Sequence, residues 1–233
     1  MTSSALGELI TRNRYVLLDF DGPICSVFAG IPAPTVACHL TTILLGAGIA
    51  PPAEIAETDD PFDVLRYTIT HTPELGADIE TAFRAEELAA IASATPTPGA
   101  AETIHACQHT GRPVAIVSNN SEDAIRAYLT THGLTNEIAY ISARTPANIA
   151  RLKPHPHLVI QAIQAMNADP TRCVLVGDSI TDVQAAHATG IAVIGYANHT
   201  HKTQRLTDTG AEAITTHMTA LADALRFAHF ACE

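Results

Sequence analysis

The chain has 233 residues, a formal net charge of -11, and 47% hydrophobic against 16% charged residues. That length holds one sizeable core with a smaller accessory unit, and the composition excludes a disordered chain. An acidic balance with no basic stripe argues against nucleic acid as a partner.

Met1 to Arg14 lacks the long apolar stretch of a signal peptide, and no apolar run is long enough to span a bilayer. Cys25, Cys38, Cys107, Cys173 and Cys232 form an odd set without paired spacing, which reads as reduced thiols. A cytoplasmic protein that engages neither membrane nor nucleic acid is the expectation; oligomeric state is left open.

Five short apolar runs follow, at Tyr15-Phe20, Pro113-Ser118, Ile138-Ser142, Cys173-Gly177 and Ile191-Gly195. Each is nearly continuous rather than alternating, as in parallel strands covered on both faces. Helical periodicity lies between and after them, at Ser121-His132, His155-Asn167, Ser179-Thr189 and Met218-Ala228. Gly133 and Gly190 fall where glycine C-caps belong. Alternation of this kind predicts an α/β fold, a doubly wound parallel sheet.

The interval after the first strand breaks the rhythm. A crossover takes a dozen residues or somewhat more, yet Ile24 to about Thr95 intervenes, with helical stretches at Thr35-Gly46, Pro61-His71 and Pro73-Ala94. An all-helical domain spanning 24–95 and inserted into a core of 1–23 and 96–233 is the expectation. Pro96-Thr97-Pro98-Gly99 punctuates the return to the sheet.

The chemistry-bearing residues gather at strand ends. Asp19-Phe20-Asp21-Gly22 ends the first strand, and residues two apart face the same way on an extended chain. A turn cap accounts for Asp21 but not for Asp19, which interrupts an apolar strand. Asp178, in Gly177-Asp178-Ser179-Ile180-Thr181-Asp182, ends the fourth strand on the same edge; Asp182 also fits a capping box with Ser179. Together these acids offer an all-oxygen site suited to Mg2+ rather than zinc. Ser118-Asn119-Asn120 ends the second strand at a turn able to cradle phosphate oxygens or simply to cap a helix. Lys153 precedes Pro154 before the next helix, where a lone lysine is ordinarily solvated.

Asp-Phe-Asp-Gly, Ser118, Lys153-Pro154 and Gly-Asp-Ser-x-x-Asp occur in this order and resemble the four motifs of the haloacid dehalogenase superfamily. The inserted helices resemble the cap of its phosphoglycolate phosphatase-like members, and the likeness runs from Tyr15 to about Ala213. The resemblance implies a Mg2+-dependent phosphatase of a small phosphorylated metabolite, acting through an aspartyl phosphate. It makes Asp19 the nucleophile and Asp21 the general acid and base, whose main-chain carbonyl also binds the metal. Ser118, the Asn119 main chain and Lys153 would hold the phosphoryl group, Asp178 would ligate Mg2+, and Asp182 would support the metal's waters or Lys153. Asp21 itself disfavours dehalogenation, because dehalogenases of the family lack an acid there. A phosphomutase of sugar phosphates, or an idle relative that only binds a phosphorylated ligand, are the alternatives.

Substrate choice is expected from the insertion, with Arg66 the preferred contact over His39, His71 and Phe28. Gly46-Ala47-Gly48 follows a helix, not a strand, and is no dinucleotide loop. His105 and His109 read as a solvated helix face rather than a metal site.

Overall fold

A computed structural model describes residues 2–228, with side-chain burial from residue 5. Six strands form one parallel sheet: β1 (Tyr15–Leu18), β4 (Val114–Ser121), β5 (Tyr140–Arg144), β6 (Cys173–Gly177), β7 (Ala192–Tyr196) and β8 (Ala213–Thr215). Their order across the sheet is β5-β4-β1-β6-β7-β8. The chain winds outward from β1 to β5, then crosses back to β6 on the other side of β1. The order therefore reverses at β1, and the crevice at the carboxyl ends of β4, β1 and β6 is where such sheets take ligands.

Both faces of the sheet are buried, which is why its strands read as continuous apolar runs. Val16 and Leu18 enter one core with Ile116, Val174 and Val176, while Leu17 enters the other with Ala115, Val117 and Leu175. The first core is closed by α1 (Thr2–Arg12), α6 (Ala100–His109), α7 (Glu122–Thr131) and α11 (Met218–Phe227). The second is closed by α8 (His157–Ala165), α9 (Ile180–Thr189) and α10 (Thr200–Thr209). Gly190 ends α9 with φ 72°, the left-handed cap its position predicts.

Between β1 and β4 lie α2 (Ala33–Gly46), the short α3 (Ala53–Ala56), α4 (Pro61–His71) and α5 (Gly76–Ile91). Leu40, Leu44, Val64, Leu65, Ile79 and Phe83 bury the apolar faces of α2, α4 and α5. The stretch expected as one helix from Pro73 is a single 3-10 turn at Pro73–Leu75 followed by α5. Where the chain leaves and rejoins the sheet, β2 (Cys25–Ser26) and β3 (Thr95–Pro96) form a two-stranded antiparallel ribbon. Thr97 Oγ1 ties this ribbon to the Gly22 carbonyl at 2.6 Å.

Cys25, Cys107 and Cys173 are buried free thiols, Cys38 is exposed, and Cys232 lies outside the described residues. Among the described residues no helix is long and apolar enough to cross a membrane.

Candidate active site

Asp19 follows β1 directly, its main-chain N–H held by the Val176 carbonyl of β6 at 2.9 Å. Lys153, 2% exposed, places its ammonium 2.9 Å from Asp19 Oδ1 and 2.5 Å from Asp182 Oδ1. It also donates to the Val117 carbonyl at 2.9 Å. The solvated role that a lone lysine ordinarily has is therefore excluded for Lys153.

Asp182 is fully buried and doubly committed. Its Oδ2 accepts from the Ser179 N–H at 3.1 Å and from the Ser179 hydroxyl at 2.6 Å, completing the capping box of α9. One Asp182 oxygen thus caps α9, and the other holds Lys153. Gly177 makes this approach possible, because a Cβ there would lie 2.4 Å from Asp182 Cβ.

Asp178 points into the same crevice. Lys202, on α10, lies 2.5 Å from Asp178 Oδ2, and Asn198 is 3.5 Å away. Gly22 has φ 104° and runs so close to Asp178 that a Cβ would meet its carboxyl carbon at 2.5 Å. Asp21 Oδ1 accepts from the Val27 N–H at 2.9 Å, and Asp21 lines the same cleft as Asp178 and Lys202.

The phosphate-cradle candidates sit beside Asp19 at the end of β4. The Ser118 hydroxyl donates to Asn120 Oδ1 at 3.0 Å, and both residues are buried. Asn119 clamps the lysine loop: its side chain accepts from the Lys153 N–H at 2.8 Å and donates to the Lys153 carbonyl at 3.0 Å.

Carboxylate oxygens of Asp19, Asp178 and Asp182 lie within 4.8 Å of one another. Burial, with Asp182 and Asp178 nearby, pushes the Asp19 carboxyl up to about 8 against the pull of Lys153. Burial likewise lifts Asp21 to about 6. Asp19 and Asp182 share Lys153 while Asp178 faces Lys202, so carboxyl groups outnumber ammonium groups and a cation would relieve their crowding. The donors are all oxygen, which fits Mg2+. All three acids thus already have partners, Asp182 accepting from Ser179 as well.

A cleft of about 450 Å3 opens beside these residues, lined by Asp21, Phe28, Asp59, Phe62, Asn198 and Lys202 among others. A larger cavity of about 780 Å3 lies between α1, α10 and α11, away from every one of these carboxylates. Arg66 does not line the cleft. It is paired with Asp63, lies 3.7 Å from Asp60, and borders a separate depression with Ile55 and Tyr67. His39 pairs with Glu86 at 3.0 Å and His71 lies against Tyr67, so of these candidates only Phe28 reaches the cleft.

The family described as haloacid dehalogenase-like hydrolase matches residues 58–196, more than half of the chain. The chain belongs to that family. The match begins after Asp19 and Asp21, but a longer likeness reinforces it. A phosphoglycolate phosphatase of Xylella fastidiosa is 30% identical over 197 residues, 80% of this chain and 82% of that protein. A haloacid dehalogenase family hydrolase from Deinococcus radiodurans, solved with bound phosphate and sodium, is 27% identical with a TM-score of 0.59. That alignment covers 92% of this chain and 97% of that one. The phosphate complex of CbbY from Rhodobacter sphaeroides shares the fold at 20% identity and TM-score 0.67, over 89% of this chain and 95% of that one. This haloacid dehalogenase-like hydrolase is accordingly an enzyme, a phosphatase akin to the phosphoglycolate phosphatases.

Three contributors escape the sequence reading of this hydrolase: Lys202, and the buried pair of Glu87 on α5 and Arg144 at the end of β5. Lys153 and Lys202 are the only lysines in the chain. That rarity was a usable signal, since both stand against carboxylates of the site.

Proposed function

We propose that this hydrolase cleaves a small phosphomonoester, with Mg2+ as cofactor and an aspartyl phosphate on Asp19 as intermediate. The observation that carries the reading is Asp19 at the switch point of the sheet, with Lys153 at 2.9 Å and Asp178 and Asp182 close by.

In this reading Lys153 and the Ser118–Asn120 turn receive the phosphoryl group, and Asp19 presents an oxygen in line with the ester bond. The bond from Asp19 to phosphorus forms as the bond to the leaving oxygen breaks, and Asp21 gives that oxygen its proton. A water then attacks the aspartyl phosphate and yields its proton to Asp21, releasing phosphate and restoring Asp19. Asp21 suits both halves, since burial raises its carboxyl to about 6 and both protonation states are accessible near neutrality. Bound Mg2+ would supply positive charge to the phosphoryl oxygens, from Asp19, Asp178 and the Asp21 carbonyl. We read residues 24–95 as a cap whose Phe28, Asp59 and Phe62 wall the cleft over the leaving group.

The test is phosphate release from a panel of phosphomonoesters, with Mg2+ and with EDTA. 2-Phosphoglycolate comes first because of the named relatives, and sugar phosphates follow because the cleft has room for them. Metal-dependent release that falls to background in Asp19→Asn is expected. Release that survives in that variant would sink the aspartyl-phosphate route, and no release from any ester would sink the phosphatase reading.

A further inference from the structure

Behind the phosphate turn lies a charged cluster with no solvent exposure. Arg144, at the end of β5, pairs with Glu87 and, at 3.0 Å, with Glu80, both from α5. All three side chains are at most 1% exposed, and Arg144 also lies over the Phe83 ring at 4.4 Å. Charges this deeply buried persist only where each is paired and hydrogen-bonded.

The cluster reaches every residue of the turn after Ser118. Glu87 Oε1 accepts from Asn120 Nδ2 at 3.0 Å, and Oε2 accepts from the Ser121 N–H at 3.1 Å. Arg144 Nε donates to the Asn119 carbonyl at 3.1 Å. A carboxylate only accepts, so Glu87 compels the Asn120 amide to turn its NH2 inward and its oxygen toward Ser118. That oxygen is the acceptor of the Ser118 hydroxyl. Asn119, held by Arg144 at its carbonyl, in turn grips both main-chain groups of Lys153.

We propose that Glu87, reaching in from α5 and held by Arg144, is a positioning residue for the phosphoryl-binding turn Ser118–Ser121. The proposal rests on the reading of Ser118 and Lys153 as phosphate ligands. It makes the inserted helices part of the phosphate site, not merely a wall for the leaving group.

Glu80 provides an internal control, because it shares Arg144 with Glu87 but bonds no group of the turn. In the full chain, Glu87→Gln and Glu80→Gln each weaken a buried pair and are expected to lower Tm. Only Glu87→Gln is expected to weaken inorganic phosphate, at least tenfold by calorimetry, and to lower kcat/KM in proportion, while Glu80→Gln changes phosphate affinity less than twofold. Asn120→Ala leaves the Arg144 pairs in place and serves if Glu87→Gln does not fold; it should reproduce the loss of phosphate affinity. Where both single variants fold, combining them should add little further loss. Equal phosphate affinity in Glu87→Gln, Asn120→Ala and wild type would overturn the proposal while leaving the phosphatase reading intact. Wild-type protein that binds no phosphate would overturn both.

Discussion

Replacing Asp19 by Asn is expected to make the metal-free enzyme more stable, and increasingly so as pH rises. The folded state holds a proton on Asp19 up to about 8, whereas an unfolded chain releases it near 3.8. Between those values the folded state binds more protons than the unfolded one, so stability falls as pH rises, by about 1.4 kcal/mol per pH unit for one such group. From pH 5 to pH 7 the wild type should therefore lose roughly 2–3 kcal/mol through Asp19. Asn at that position carries no proton to lose, and Lys153 keeps Asp182 as its partner. At 2–4 °C per kcal/mol for a chain of this size, the Tm gap between variant and wild type should widen by roughly 5–10 °C over that interval. Thermal unfolding in EDTA at pH 5 and pH 7 measures it. A gap that stays constant, or narrows as pH rises, would refute the view of Asp19 as a buried carboxyl short of positive charge.

Two further outcomes follow from the geometry around Asp178. Lys202→Met removes the ammonium 2.5 Å from Asp178 Oδ2, and should tighten Mg2+ binding by on the order of tenfold in calorimetry, as loss of one nearby like charge requires. Gly22→Ala places a Cβ 2.5 Å from the Asp178 carboxyl carbon at φ 104°, and should cost about 1–3 kcal/mol in chemical denaturation while weakening Mg2+ binding; unchanged stability would show that the Gly22 turn relaxes.

The five strands nearest the site were legible because burial on both faces leaves uninterrupted apolar runs, and the acids that end two of them interrupt those runs conspicuously. β8 was not, being three residues at the sheet edge. α10 was hidden for the opposite reason: only Leu206 of its ten residues is buried, so it has no apolar stripe, and Lys202 went unseen with it. α1 does carry Leu6, Leu9 and Ile10 at helical spacing, a pattern that testing for a signal peptide does not weigh. Arg66 was singled out by residue type alone; it pairs with Asp63 and lies 3.7 Å from Asp60, acids within one helical turn or two. Glu87 and Arg144 were invisible in kind, because charges so far apart in sequence reveal a buried pairing only once α5 is laid across β4 and β5.

The ribbon of β2 and β3 has a consequence for how this chain can be altered. Its two strands lie side by side, with Cys25 opposite Pro96 and Ser26 opposite Thr95, so the intervening helices leave and rejoin the core at adjacent points. Doubling the length of such a loop costs only about 0.6 kcal/mol in closure entropy. Foreign helical segments grafted between Ser26 and Thr95 should leave the six strands intact at the point of attachment. They would meet resistance elsewhere, at Arg144, which any graft must supply with an acid or leave stranded as a bare charge inside the protein.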